Sequence, residues 1–212
     1  MENGRVVSRN KALALIAVFT AILIVTCGMV GYKVYWVWQA KRPQIVKDQA
    51  AYEYRVRVNP RDVEAHLNLG KIYELRGMKE KALIEYHKVL ELDKNNLDAM
   101  FQTGLMAKES GDYKEAERRM RAILNQNSRY EGASYTLAQI YRESKQYAKA
   151  KQQYERALEV SPGSADIMIE LGLLYEAQGK KVEALRQYRT ALLYAPDLKK
   201  ARDGVIRLTG KS

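Results

Sequence analysis

Two histidines, His66 and His87, a single cysteine, Cys27, and a few close acidic pairs are the residues of this chain suited to acid–base, nucleophilic or metal chemistry. A metal site needs His, Cys or carboxylate ligands at short spacing, and a hydrolytic triad needs a histidine between a nucleophile and an acid. Here the histidines stand far apart in the sequence, and one cysteine excludes a disulfide scaffold and any multi-cysteine zinc or iron–sulfur site. His66 falls at a helix-packing position and His87 on an exposed second helix, so both read as structural. Glu109 with Asp112, and Glu115 with Glu117, sit among Lys and Arg at helical spacing and read as solvated faces. No phosphate-cradling glycine loop, zincin motif or nucleophile elbow is present in the sequence. The expectation is a protein without catalytic residues, cofactor, metal or small-molecule substrate.

The chain has 212 residues with 36 Lys or Arg against 25 Asp or Glu, a formal +11, and a pI near 9.6. With 47% hydrophobic residues, 4 Pro and 13 Gly it is neither disordered nor collagen-like. Such a pI raises nucleic-acid binding, which needs a basic stripe along one face. Lys71, Lys108 and Arg142 begin such a stripe, but Glu74, Glu109, Glu143 and Glu176 interrupt it, and Arg118, Arg119 and Arg121 read as a solvated convex face. No nucleic-acid partner is expected. The charge is also unevenly shared: six basic and one acidic residue fall in 1–42, leaving 30 and 24 in 43–212.

Within that first segment, after a basic tail over 1–11, the 21 residues from Ala12 to Tyr32 carry no charge. A helix of that length spans about 30 Å, the hydrocarbon thickness of a bilayer, and satisfies its own backbone. A linker over 33–43 follows, with Tyr35, Trp36 and Trp38 suited to the headgroup layer and Lys41 and Arg42 as a stop. One transmembrane helix over 12–32 is expected. Positive charge is nearly balanced across it; the short basic tail favours a cytoplasmic amino terminus and an extracytoplasmic remainder. Lipidation of Cys27 stays open, although Thr26 precedes it and apolar sequence continues beyond.

The remainder repeats itself at an offset of 34 residues without a gap. Gly70, Gly104, Ala138 and Gly172 form one column, and Tyr73, Ala107, Tyr141 and Tyr175 lie a helical turn further on. Ala82, Ala116, Ala150 and Ala184 form an invariant column, followed four residues later by Tyr86, Met120, Tyr154 and Tyr188. Spacings of three and four mark helical faces, so each unit is a pair of antiparallel helices. Gly77, Gly111 and Gly179 stand between the helices, with Lys145 the exception, while Asp62, Asn96 and Ser164 are suited to cap the first helices. Four repeats follow over 63–96, 97–130, 131–164 and 165–198, preceded by a half repeat over 44–62 and closed by a capping helix and tail over 199–212.

Stretches such as AHLNLGKIYELRGMKEKALIEYHKVLELD and ASYTLAQIYRESKQYAKAKQQYERALEVSP resemble the tetratricopeptide repeat family over about two thirds of the chain. The resemblance implies an all-α, right-handed solenoid whose first helices line a concave groove for extended or helical peptides. Leu67, Phe101, Tyr135 and Ile169 would then form an apolar ladder along the groove, with Lys71, Leu105, Gln139 and Leu173 beside it. A ladder of this kind suits the apolar side of a protein or peptide segment. One subclass of the family grips acidic chaperone termini with Lys, Asn and Arg. Asn68 and Lys71 match, but Gln102, Leu105, Thr136 and Gln139 do not, so that clamp is not assembled.

The function so implied is a membrane-anchored scaffold or adaptor, similar to bacterial inner-membrane repeat proteins that assist assembly of envelope machinery. The alternative is a structural protein that self-assembles through solenoid faces or ends, which leaves a homo-oligomer open. Partner, pathway and oligomeric state are not readable from the residues.

Overall fold

The computed structural model describes residues 44–210, so the expected tail, membrane helix, Cys27 and linker lie outside the described residues. Among the described residues every regular element is a helix, ten in number, and no helix is long and apolar enough to cross a membrane. The chain divides into two compact units, residues 1–51 and 52–212. Of the first, the described part is the beginning of α1 (Gln44–Val58), where Gln44 donates to Asp48 one turn on at 2.6 Å.

The second unit takes up the end of α1 and then four helix pairs: α2 (Val63–Leu75) with α3 (Lys79–Leu92), α4 (Leu97–Glu109) with α5 (Tyr113–Gln126), α6 (Glu131–Glu143) with α7 (Tyr147–Val160), and α8 (Ala165–Ala177) with α9 (Lys181–Tyr194). The last helix is α10 (Lys199–Thr209). Each helix from α2 onward packs chiefly on its neighbours in the chain, as a stack of repeats requires.

Local chemistry sets the helix ends. The Asp62 and Asn96 side chains accept from the backbone N–H groups of Ala65 and Ala99 at 2.9 and 3.1 Å, giving α2 and α4 the expected caps. Ser164 holds the extended cap position of α8 without a side-chain bond to the helix. Asp112 adds a cap that the repeat pattern alone does not announce, accepting from Glu115 N–H at 3.0 Å. Inside each pair the chain turns through a left-handed residue, with φ of 71°, 85° and 73° at Gly77, Gly111 and Gly179. Lys145 adopts the same conformation at φ 57°. In all four turns the next N–H reaches back to the carbonyl five residues earlier, from Met78 to Tyr73, Asp112 to Ala107, Gln146 to Tyr141 and Lys180 to Tyr175. This bonding closes the helix end.

The core follows the small and aromatic columns. Ala82, Ala116, Ala150 and Ala184 are fully buried, and so are Tyr86, Met120, Tyr154 and Tyr188. Each of these large side chains covers a small residue of the first helix: a Cβ on Gly70 would stand 2.7 Å from Tyr86 Cε1, and one on Gly172 2.5 Å from Tyr188 Cε1. The rings also carry a polar end to the edge of the core, where Tyr86 Oη donates to Glu74 at 2.7 Å and Tyr188 Oη to Glu176 at 2.6 Å. Tyr188 is held from its other side by Gly204 of α10, whose Cβ would stand 2.6 Å from the ring. At the opposite end Tyr52 and Val56 of α1 cover Leu69, Tyr73, Ala82 and Tyr86, and Tyr73 Oη donates to Glu53 at 3.0 Å. The stack is therefore closed by α1 on one side and α10 on the other.

Candidate functional site

The first helices α2, α4, α6 and α8 carry the expected ladder, and its members differ in burial. Leu67, Phe101 and Tyr135 are half-buried, as are Lys71, Leu105, Gln139 and Leu173 beside them. Ile169 is the exception: it is 2% exposed and belongs to the cluster formed with Leu198, Val205 and Leu208 at the closing helix. Three members of the expected ladder are thus half-buried and the fourth is fully buried.

Phe101 and Tyr135 are each held by a neighbouring aromatic ring. The Phe101 ring lies 5.3 Å from that of Tyr130 and closes over Gly132, where a Cβ would stand 2.9 Å away. The Tyr135 ring meets buried Tyr154 edge-on at 5.9 Å. Burial, with Glu170 and Asp166 nearby, raises the Tyr135 phenol above its ordinary pKa, so the group is neutral at physiological pH. Aromatic rings fixed in this way supply apolar area at low ordering cost.

Polar bridges cross from one repeat to the next around this ladder. Lys71 Nζ reaches Asp98 at 2.9 Å, Lys108 Nζ donates to Gln139 Oε1 at 2.6 Å, Arg142 reaches Glu170 at 3.0 Å, and Arg207 grips Glu176 at 2.6 Å. Reading the residues in columns misses them, because each pair joins two different columns. The available signal is the recurrence of opposite or complementary polar groups about 30 positions apart. Lys71 and Gln139 are consequently engaged with side chains of the neighbouring repeats.

The residues set aside as structural also have definite places. His66 is 7% exposed, with Nδ1 2.6 Å from Glu85 Oε2 and Nε2 3.1 Å from the Pro60 carbonyl. His87 is exposed and lines a cleft of about 460 Å³ between α3, α4 and α5, together with Leu83, Thr103, Met106, Lys79 and Arg119. None of the eight ladder residues lines that cleft. Lys79 is paired with Glu109, and Glu115 with both Arg118 and Arg119, at 2.7 Å each. The Arg118 guanidinium lowers the Glu115 pKa. Arg119 is half-buried, so of the three arginines read as a solvated face only Arg118 and Arg121 are exposed. Among the described residues no group of three His, Cys, Asp or Glu is arranged to hold a metal.

Models of the tetratricopeptide repeat match residues 63–96, 107–153 and 135–199. Human protein O-mannosyl-transferase TMTC3 is 23% identical over 156 residues, which span 72% of this chain and 17% of that protein. The chain therefore corresponds to about a sixth of the length of this relative, and the transferase activity in its name belongs to the larger protein. Two crystal structures of MamA are 27% identical, with TM-scores of 0.64 and 0.62, covering 73% of this chain and 89% and 83% of theirs. YrrB, a TPR protein with an unusual peptide-binding site, is 19% identical with a TM-score of 0.64, covering 76% of this chain and 82% of its own, a likeness of fold.

Proposed function

The chain belongs to the tetratricopeptide repeat family, and from that premise we propose that it is a non-enzymatic protein-interaction scaffold whose first-helix face takes an apolar or amphipathic segment of a partner. The observation that carries this reading is the pair Phe101 and Tyr135. Two aromatic rings, fixed from behind by Tyr130 and Tyr154, stand half-exposed on successive repeats with polar bridges on either side. A segment with apolar anchors at matching intervals buries those ring edges and leaves the bridges intact.

The uncharged run over 12–32, with its basic and aromatic flanks, supports a membrane-anchored version of this scaffold. In the full proposal the anchor lies in a bacterial inner membrane, the repeats face the extracytoplasmic side, and the protein assists assembly of an envelope complex.

In-cell photo-crosslinking from position 135, with position 149 on α7 as control, tests the scaffold. A partner captured at 135 and not at 149 supports the groove. Capture of a second copy at 149 with nothing at 135 replaces it with self-assembly through the second helices. A reporter fused at Ser212 reads which side of the membrane the repeats occupy.

A further inference from the structure

The second helices of the repeats turn one face outward, and the 34-residue register allows that face to be compared position by position. In the third repeat α7 presents Ala148, Lys151, Gln152, Glu155 and Glu159 there, a polar surface. In the fourth repeat the same five positions of α9 hold Val182, Leu185, Arg186, Arg189 and Leu193. Val182 is 79% and Leu193 82% exposed, the highest values of any large hydrophobic residue among the described residues. They flank a shallow depression of about 320 Å³. The opposite side of α9 already buries Ala184, Tyr188 and Ala191 in the stack. Repeat packing needs one apolar face per helix; this helix has two.

Charge distinguishes the same place. Residues 43–179 hold 21 basic and 21 acidic residues, whereas 180–212 hold nine basic and three acidic. The whole excess of the repeat region thus lies in α9, α10 and the tail. In the second repeat the outward arginines are matched by carboxylates, Arg118 by Glu115 and Arg121 by Glu117. Among the described residues Arg186 and Arg189 meet no carboxylate at ion-pair distance.

We propose that the outward face of α9 is a docking surface for a bilayer leaflet rich in anionic lipid headgroups. Exposed aliphatic side chains alternating with unpaired cations along one helical face suit the headgroup boundary, where the cations meet phosphates and the aliphatic groups reach the acyl chains. A nucleic-acid backbone would engage the arginines and leave Val182, Leu185 and Leu193 in water. The choice of a bilayer as occupant rests on the reading that residues 12–32 tether the chain to one, which holds such a leaflet at high local concentration.

The test uses the full chain carrying Cys27→Ser and Thr190→Cys, labelled with the environment-sensitive fluorophore NBD and incorporated into vesicles of phosphatidylcholine with or without phosphatidylglycerol. The expected result is a blue-shifted emission, quenched by nitroxide-labelled lipid, in the phosphatidylglycerol vesicles only, while a label at Ala148→Cys stays aqueous. Adding Arg186→Gln and Arg189→Gln weakens the docking roughly 25-fold, about fivefold for each cation removed. An aqueous label in both vesicle types, a response independent of phosphatidylglycerol, or burial of the label only when an acidic peptide is added overturns the proposal. Carbonate extraction reports the anchor separately. If the chain is extracted, the anchor fails, and co-sedimentation with added vesicles of the two compositions still decides the docking.

Discussion

His66 and Glu85 meet at 2.6 Å beneath the surface of the first repeat, and the second ring nitrogen of His66 faces the Pro60 carbonyl at 3.1 Å. Through its two nitrogens the ring ties together α2, α3 and the segment that follows α1. A histidine that looks like a packing residue in its sequence column therefore acts as a polar rivet. Replacing it with leucine keeps apolar volume but removes the ring's polar contacts with Glu85 and the Pro60 carbonyl. The expected loss is about 2–3 kcal/mol of unfolding free energy in urea titration. A double variant that also carries Glu85→Leu should recover part of that loss.

The tight approach of Gly172 to Tyr188 gives a second expectation. Because Gly204 blocks the ring from the other side, the phenol cannot retreat from a new methyl group. Gly172→Ala should cost about 1–3 kcal/mol by overpacking. Tyr188→Ala should cost about 3–5 kcal/mol by leaving a cavity. Equilibrium denaturation of the two variants, with no effect beyond normal error in a surface control such as Lys94→Ala, checks the assignment.

Lys145 is the one non-glycine residue in the left-handed turns, at φ 57°. Relieving its Cβ crowding by Lys145→Gly should raise stability by up to about 1 kcal/mol. A drop in midpoint temperature would contradict this.

The tyrosines make stability depend on alkaline pH. Burial, reinforced by hydrogen bonds to Glu53 and Glu117, pushes Tyr73 and Tyr141 from 10.0 up to about 12. A group whose folded pKa is raised contributes stability that is complete below its unfolded value. Stability should therefore hold up to about pH 10 and decline between 10 and 12, with the decline shallower in Tyr141→Phe. On the acid side, the Ala65 N–H lowers Asp62, and the Arg118 and Arg207 guanidiniums lower Glu115 and Glu176. Their contribution is present above the unfolded carboxylate pKa and is lost as pH falls through the lowered values. A pH series of urea midpoints reads both limbs.

Within the ladder the residues proposed to bind differ in burial from Ile169. Phe101→Glu and Tyr135→Glu should abolish partner capture while circular dichroism retains the helical signal, since both side chains are only half-buried. Ile169→Ala should act instead on stability, by about 2–4 kcal/mol, because its side chain lies in the closing core. Equal loss of capture in all three at unchanged stability would refute the distinction.

The helix pairs, the turn glycines and the core columns were legible because a 34-residue period displays each position four times, and 3.6-residue spacing marks the buried faces. The burial of Ile169 was not legible in that way. Its column-mates are half-buried, whereas Ile169 sits in the cluster that Leu198 and Leu208 pack against. The inter-repeat bridges such as Lys108 to Gln139 escaped for a different reason. They depend on how far one helix is shifted past the next, and a single repeat does not encode that shift. Neither does composition announce the α9 face, which emerges only when exposure is compared between equivalent positions.

Since each helix pair is braced chiefly by its immediate neighbours, a force drawn along the stack is resisted at one repeat boundary at a time. The boundary between α7 and α8 is bridged on the ladder face by Arg142 and Glu170, and the final one by Arg207 and Glu176. Under tension such a molecule pays out length in steps of one repeat, with the remaining pairs still folded. In that respect it behaves as a row of springs in series.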